Sequence, residues 1–431
     1  MTFSKIQNIL NDEYIDKPVS IHGWLYRTRS SGKLVFMVVR DSTNIVQVIV
    51  EKGKIPDTEF ENATRARIES SVIVHGTVKK EPRAPTGYEI HATNVSVVHF
   101  AERFPITKDQ SEEFLLDNRH LWLRSRELTT IMKVKASILK GAREWFEEHD
   151  FVEVTPPIIT TNACEGGSTL FELNYFGSKA YLSQSAQMYL ESLVFSLEYV
   201  WALTPSFRAE PSRTTRHLAE YSHLESEEAW TGFDENLHIQ EALVTAIVRK
   251  VLEERKDELL FLKRDISALQ KVEPPFKRIT YTKAIDLLKE KGFDLHWGSD
   301  FGTHEEREIS KLDDKPIFIT HYPQEIKPFY MKINDENPKL VNNADLIAPD
   351  GFGEIIGGSE RETDIESMIA RLKKENAQLK NYEWYFDLRR FGSVQHSGFG
   401  LGIERVTRWI CGIEHIRNTI PYPRTINRVY P

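Results

Sequence analysis

Cysteine is almost missing from this chain, which has only Cys164 and Cys411. Two thiols make no disulfide scaffold and cannot hold a zinc ion by themselves, so a reduced, cytoplasmic setting is expected. No apolar run approaches the ~18 uninterrupted residues of a membrane span, and no membrane partner is expected. The N-terminus, MTFSKIQNILNDEY, lacks a basic stretch followed by a long apolar one, which argues against a secretory signal. There is no Walker loop, internal repeat or low-complexity tract. Gly398, Gly400 and Gly402 form GxGxG, one position short of the dinucleotide fingerprint, and no Rossmann-like unit precedes them. An excess of positive charge is missing too, the formal net charge being -8. That does not exclude a nucleic-acid partner, because a local basic face is enough to hold phosphates.

What is present fits a folded protein of two or three domains: 431 residues, 40% hydrophobic and 28% charged,. Residues 18–50 alternate short apolar runs with turn signals at Ser30 to Lys33 and Asp41 to Asn44,. Two further β-type runs follow, Ser71 to Val78 and Tyr88 to Val98. Roughly five short strands in about a hundred residues predict a small Greek-key barrel of the OB type. Residues 101–124 show no period and read as a hinge. Beyond them Leu128, Ile131, Met132, Leu139, Ala142, Trp145 and Phe146 recur at helical spacing,. Strands are expected at Val200 to Phe207, Pro316 to Thr320, Phe329 to Ile333 and Trp384 to Leu388. A long, charged helical stretch from Asn236 to Leu269 is expected on the outside. The expectation is an α+β chain: a barrel over 1–100, a hinge over 101–124, and an antiparallel sheet flanked by helices over 125–431.

Two stretches carry the chemistry. Phe207-Arg208-Ala209-Glu210 and Arg216-His217-Leu218 bracket a loop that also holds Arg213. Cations packed this densely make a cradle for a polyanion, although from charge alone a solvated basic turn is the better reading. Ser397 to Arg405, SGFGLGIER, opens an apolar helix. Its glycines permit close backbone approach to a ligand, or simply close packing.

Together these stretches resemble motifs 2 and 3 of the class II aminoacyl-tRNA synthetases, in the aspartyl/asparaginyl branch, whose patterns are FRAE, a loop and RHL, then GFGLGxER. The resemblance implies an ATP-dependent aminoacyl-tRNA ligase. It implies that Arg208 meets the α-phosphate and the amino-acid carboxylate, with Arg405 on the opposite side of ATP. It puts Glu210 at the adenine amino group, Arg216 and His217 on the distal phosphates, Tyr221 against the base, and Leu218 and Gly402 in the same site. Phe151 to Pro157 resembles motif 1, which builds a homodimer. Glu165-Gly166-Gly167-Ser168 resembles the branch's mobile acidic loop over the amino acid. Gly353 to Arg361 resembles its magnesium strand. That implies Mg²⁺ on Glu354, with Asp345 as a second ligand or, equally, a strand-end cap. Where aspartyl relatives have a serine ligand, Gly357 stands.

The choice within the branch rests on single residues. Aspartyl enzymes carry QSPQLYK, whose lysine grips the substrate carboxylate. Here the run is Gln184 to Leu190, QSAQMYL, and Leu190 replaces the cation. The expected amino-acid site comprises Glu165, Gln187, Leu190, Arg208, Glu225, Gly357 and Arg361. In it Arg361 donates to a side-chain amide, and Glu225 accepts from that amide or holds the α-ammonium. The resemblance therefore favours the asparaginyl side, of archaeal/eukaryotic type, with L-asparagine, ATP and tRNA(Asn) as substrates. An aspartyl or relaxed enzyme, a free-standing asparagine synthetase and an inactive tRNA-binding paralogue are the alternatives. In the barrel the resemblance implies an anticodon reader. Phe36 stacks on a base, Gln47 bonds a base edge, and Arg27 and Arg29 hold phosphates. From composition alone Phe36 reads as barrel core.

Overall fold

The computed structural model describes residues 2–164, 169–211 and 214–431. The chain divides into two compact units, Met1–Leu115 and Leu116–Pro431.

In the first unit, valine- and isoleucine-rich runs with period two make strands that bury one face. These are β1 (Pro18–Ser31), β2 (Leu34–Arg40), β3 (Ile45–Glu51), β4 (Ser71–Lys80) and β5 (Tyr88–His99), with helix α1 (Asp57–Arg65) between β3 and β4. They close into a barrel in the order β1-β2-β3-β5-β4. Val35, Met37 and Val39 of β2 meet Val46, Val48 and Val50 of β3 in its core. The alternation leaves Phe36 on the outer face, so the core reading of Phe36 fails.

The second unit is built on an eight-stranded sheet. Its elements in chain order begin with α2 (Arg126–Glu148), β6 (Val152–Glu153), α3 (Gln187–Leu197), β7 (Tyr199–Phe207), β8 (Glu220–Ala229) and α4 (Phe233–Glu254). They continue with β9 (Lys277–Thr280), β10 (Ile317–Thr320), β11 (Asn343–Ala348), β12 (Gly353–Glu360), α5 (Glu383–Arg390), β13 (His396–Gly402) and α6 (Ile403–Cys411). The sheet order is β9-β10-β11-β12-β13-β8-β7-β6. It is antiparallel from β10 through β7, with parallel pairs only at its two edges. The apolar stripes of α2, α4 and α6 pack on the sheet in one large core. Among the described residues no helix is long and apolar enough to cross a membrane.

Several expectations are corrected. Trp384 to Leu388 is helical, within α5. Its buried Tyr385, Phe386 and Arg389 follow the helical spacing i, i+1, i+4, and that period outweighs the strand preference of aromatics. Phe329 to Ile333 makes only isolated bridges, Met331 to Arg361 and Ile333 to Val341. The stretch from Asn236 is not one outer helix. α4 buries Leu243, Val244, Ile247, Val248 and Val251 in the core, and two short helices follow, Lys256–Phe261 and Ile266–Gln270. Residues 101–124 hold two short helices, Glu112–Asp117 and Arg119–Trp122. Buried Arg119 donates to the carbonyls of Arg417, Ile420 and Pro421. Gly398 and Gly400 lie on strand β13, and the helix begins only after Gly402.

Candidate functional site

Strands β7, β8, β13, β12 and β11 form the floor of a cleft. Its larger part is a cavity of about 1200 Å³. A smaller pocket of about 60 Å³ adjoins it and shares Arg208, His223, Glu354 and Gly400 with it. The floor is tight at Gly400, where a Cβ would come within 2.3 Å of His223 Nε2 and displace that ring.

The expected ATP residues converge. Arg208, Arg216, His217, Leu218, Tyr221, Glu354, Gly402 and Arg405 all line the smaller pocket. Glu210 is the exception; it is exposed and lines neither space. Arg213 and Glu165 lie outside the described residues. Arg405 Nη1 donates to Glu354 Oε2 at 3.0 Å and to the Glu354 carbonyl at 3.1 Å. Arg216 pairs with Glu306, which also accepts the Glu354 N–H at 2.9 Å. The Arg208 guanidinium lies 5.8 Å from the centre of the Tyr221 ring.

The charged groups of this pocket shift one another strongly. Burial tends to raise the Glu354 pKa, but Arg405, Lys327, Arg208 and Arg216 bring it down to about 2. Burial and then Arg405, Arg216 and Arg208 push His217 down to about 4. The imidazole is therefore neutral near pH 7, and acts as a hydrogen-bonding group rather than the cation expected from its sequence context. Arg408 is depressed to about 10, by burial and by the crowding of Arg216, Arg405 and Arg307. Arginines crowded in this way, though Glu354 and Glu306 lie among them, suit a bound polyanion,.

Asp345 lies within β11, not at its end, so the cap reading fails. It faces Gly357 across the β11–β12 ladder. A Cβ on Gly357 would stand 3.4 Å from Glu354 Oε1 and 3.7 Å from Asp345 Oδ1, so the two carboxylates converge on one spot. Lys327 donates to Asp345 Oδ2 at 2.7 Å, with its ammonium 3.9 Å over the Tyr322 ring. Among the described residues no three His, Cys, Asp or Glu side chains group to hold a metal alone.

At the other end, Gln187, Glu225, Gly357 and Arg361 line the larger cavity. Leu190 does not. It is fully buried in an apolar cluster with Ala186, Val194 and Val200, so its assignment as a substrate contact is withdrawn. Glu225 accepts the Ala186 N–H at 2.8 Å and a hydrogen bond from Ser185 Oγ. Arg361 is also engaged. Its Nε donates to Glu227 Oε2 at 3.0 Å, its Nη2 to Glu227 Oε1, and its Nη1 to Ser359 Oγ at 2.8 Å. Sequence reasoning missed Glu227, His223 and Glu306. Strand period alone points to the first two, since Tyr221, His223, Glu225 and Glu227 alternate along β8 and share a face. Glu306 sits on the short helix Thr303–Ile309, far in sequence from Arg216, and carries no local signal.

On the barrel, Arg29 stands directly across from Phe36, its guanidinium 4.4 Å over the ring. Trp24, 43% exposed, has Arg40 5.3 Å over its ring. Arg27 is exposed. Gln47 lies on the outer face too, donating to Glu89 Oε2 at 2.8 Å. Flat rings beside arginines suit unstacked bases.

Comparison with known proteins follows both units. The family described as tRNA synthetases class II (D, K and N) matches residues 111–426. The OB-fold nucleic acid binding domain matches residues 19–98. The chain is 50% identical over 415 residues to the asparagine–tRNA ligase of Thermococcus gammatolerans, covering 96% of each protein. It is 47% identical over 426 residues to that of Thermoplasma acidophilum, covering 99% of each. It superposes on the asparaginyl-tRNA synthetase of Pyrococcus horikoshii complexed with asparaginyl-adenylate. There the TM-score is 0.97, the identity 47%, and the coverage 100% of both chains.

Proposed function

Because the chain belongs to the class II tRNA synthetases of the D, K and N group, we infer that it activates L-asparagine with ATP and transfers the asparaginyl group to tRNA(Asn). The observation that carries this reading is one cleft with two chemically different ends: an arginine-lined pocket for a polyanion, and a charge-neutralised Arg361–Glu227 couple.

In the activation step a carboxylate oxygen of asparagine attacks the α-phosphorus of ATP and pyrophosphate leaves. Charge builds on the phosphate oxygens, and no proton need be moved. Arg208 and Arg405 flank the α-phosphate in this reading and stabilise that charge from fixed positions. Arg216 and neutral His217 receive the distal phosphates, and Tyr221 lies against the base. Asp345 and Glu354 would hold Mg²⁺, with phosphates and water completing its oxygen shell. Two convergent carboxylates suit that ion, which keeps several non-protein ligands. When bound, it supplies charge neutralisation between the phosphates. In the second step a terminal ribose hydroxyl of tRNA attacks the acyl carbon and AMP leaves.

Selectivity falls to Arg361 and Glu227. Glu227, buried behind Arg361, already neutralises the guanidinium, so an aspartate carboxylate finds no spare positive charge. An amide needs none, and its oxygen can accept from the Arg361 N–H groups on the cavity side,. This replaces the role first expected of Leu190. Glu225, held by Ser185 and the Ala186 N–H, is better placed for the α-ammonium end.

A second copy of the chain packs on the sheet edge at β6 in this reading, where Val152 is 40% exposed. Sedimentation then returns twice the 50.0 kDa chain mass; a monomer at micromolar concentration contradicts the assignment. Since the reaction needs tRNA and ATP, the cytoplasm is its place.

The anticodon role separates the two steps. Phe36→Ala removes stacking of roughly 1–3 kcal/mol, about ten- to a hundredfold in tRNA charging. ATP–pyrophosphate exchange without tRNA is unchanged. Equal loss in both assays, with the fold intact, overturns the assignment of Phe36.

A further inference from the structure

Behind the wall of the larger cavity lies a carboxylate that the activation chemistry does not use. Glu191, on α3, is fully buried. Four polar groups surround it: Gln187 Nε2 at 3.0 Å, Tyr385 Oη at 2.7 Å, Arg389 Nη2 at 2.7 Å and His396 Nε2 at 3.1 Å. Taking an ion pair this deep out of water is costly, and an apolar replacement of similar volume is often as stable. The cluster therefore points to a role other than stability.

Gln187 supplies that role. It stands one helical turn before Glu191 on the same face of α3, and it lines the cavity. A glutamine amide has a donor end and an acceptor end, and nothing intrinsic decides which faces a ligand. Glu191 decides it here. Burial works to raise its pKa, but Arg389 and His396 outweigh burial and hold the carboxyl well below the usual range. An ionised carboxylate only accepts, so the Gln187 NH₂ must turn toward Glu191. The carbonyl oxygen is left on the other side, where Cys164 Sγ, itself a cavity residue, lies 4.0 Å away.

We infer that Glu191 is a positioning residue for the amino-acid substrate, locking Gln187 with its carbonyl oxygen toward the cavity as a fixed acceptor for a substrate N–H. A glutamine without this anchor would present its NH₂ part of the time, and would lose rotamer freedom on every binding event. The lock removes both costs before the substrate arrives. This inference rests on the reading of the cavity as the asparagine site.

The test is steady-state ATP–pyrophosphate exchange with asparagine, using wild type, Glu191→Gln, Glu191→Asp, Gln187→Met and the double variant Gln187→Met/Glu191→Asp. Glu191→Asp keeps a carboxylate in the cluster but draws it back by one methylene, which loosens its hold on Gln187, Arg389 and His396 alike, so it decides the matter should Glu191→Gln fail to fold. Both Glu191 variants are expected to raise KM for asparagine about tenfold, the loss of one well-placed hydrogen bond, with KM for ATP unchanged. In the Gln187→Met background the Glu191 substitution adds nothing further, because its effect passes through Gln187. An unchanged asparagine KM in folded Glu191→Asp overturns the inference. So does an equal rise in both KM values, or a fully additive double variant. A wild-type enzyme that does not use asparagine overturns the substrate assignment instead.

Discussion

Arg405→Ala loses asparagine-dependent ATP–pyrophosphate exchange by about 10²–10³-fold or more, the scale for removing one preorganised charge-stabilising donor from an active site. The loss falls on kcat rather than on KM for asparagine, because the charge Arg405 meets develops as pyrophosphate leaves. Arg208→Ala behaves alike, and the two losses together are less than additive, since both groups act on one phosphate. Arg405 reaches Glu354 through its side chain and its carbonyl, so the unfolding temperature is a necessary control. Arg405→Lys keeps the charge but not the planar fork, and recovers only part of the rate. A folded Arg405→Ala enzyme with near-normal exchange removes the pocket from the mechanism.

The second large effect is on selectivity. Glu227→Gln leaves Arg361 without its neutralising carboxylate, so the preference for asparagine over aspartate in kcat/KM falls at least about tenfold. Sites built to pair polar groups discriminate most when a partner is lost. Stability falls as well, by about 1–3 kcal/mol, because a buried guanidinium loses its charged acceptor. Comparing both amino acids in one preparation cancels that stability effect. A loss equal for asparagine and aspartate assigns Glu227 to scaffolding, and leaves selectivity to another residue.

These predictions also mark where the sequence was legible. The barrel was readable strand by strand, because the valine alternation of β2 and β3 is a local, period-two signal. The residues of the smaller pocket were readable because FRAE, RHL and GFGLGIER are contiguous runs, and β7, β8 and β13 bring Arg208, Arg216, His217 and Arg405 together there. Partners were not readable. Arg361 meets Glu227, Arg216 meets Glu306, and Gln187 and Arg389 meet at Glu191. Of these contacts only Gln187 to Glu191 lies within one element, and even it shows its meaning only once the cavity is seen on its far side. Leu190 misled for the same reason. Its place in a family pattern suggested the substrate, whereas the turn of α3 sends it into the core. Trp384 to Leu388 misled because aromatics favour strands, while the burial of Tyr385, Phe386 and Arg389 follows a helix.

The central claim is that this cleft activates asparagine and refuses aspartate. It is tested most directly by tRNA-free ATP–pyrophosphate exchange with the two amino acids in parallel, over a range of concentrations. The account predicts robust exchange with asparagine, and a kcat/KM for aspartate lower by about 10³-fold or more, the scale set by burying a substrate carboxylate with no spare cation to pair it. Equal exchange with aspartate, or exchange with aspartate alone, contradicts it.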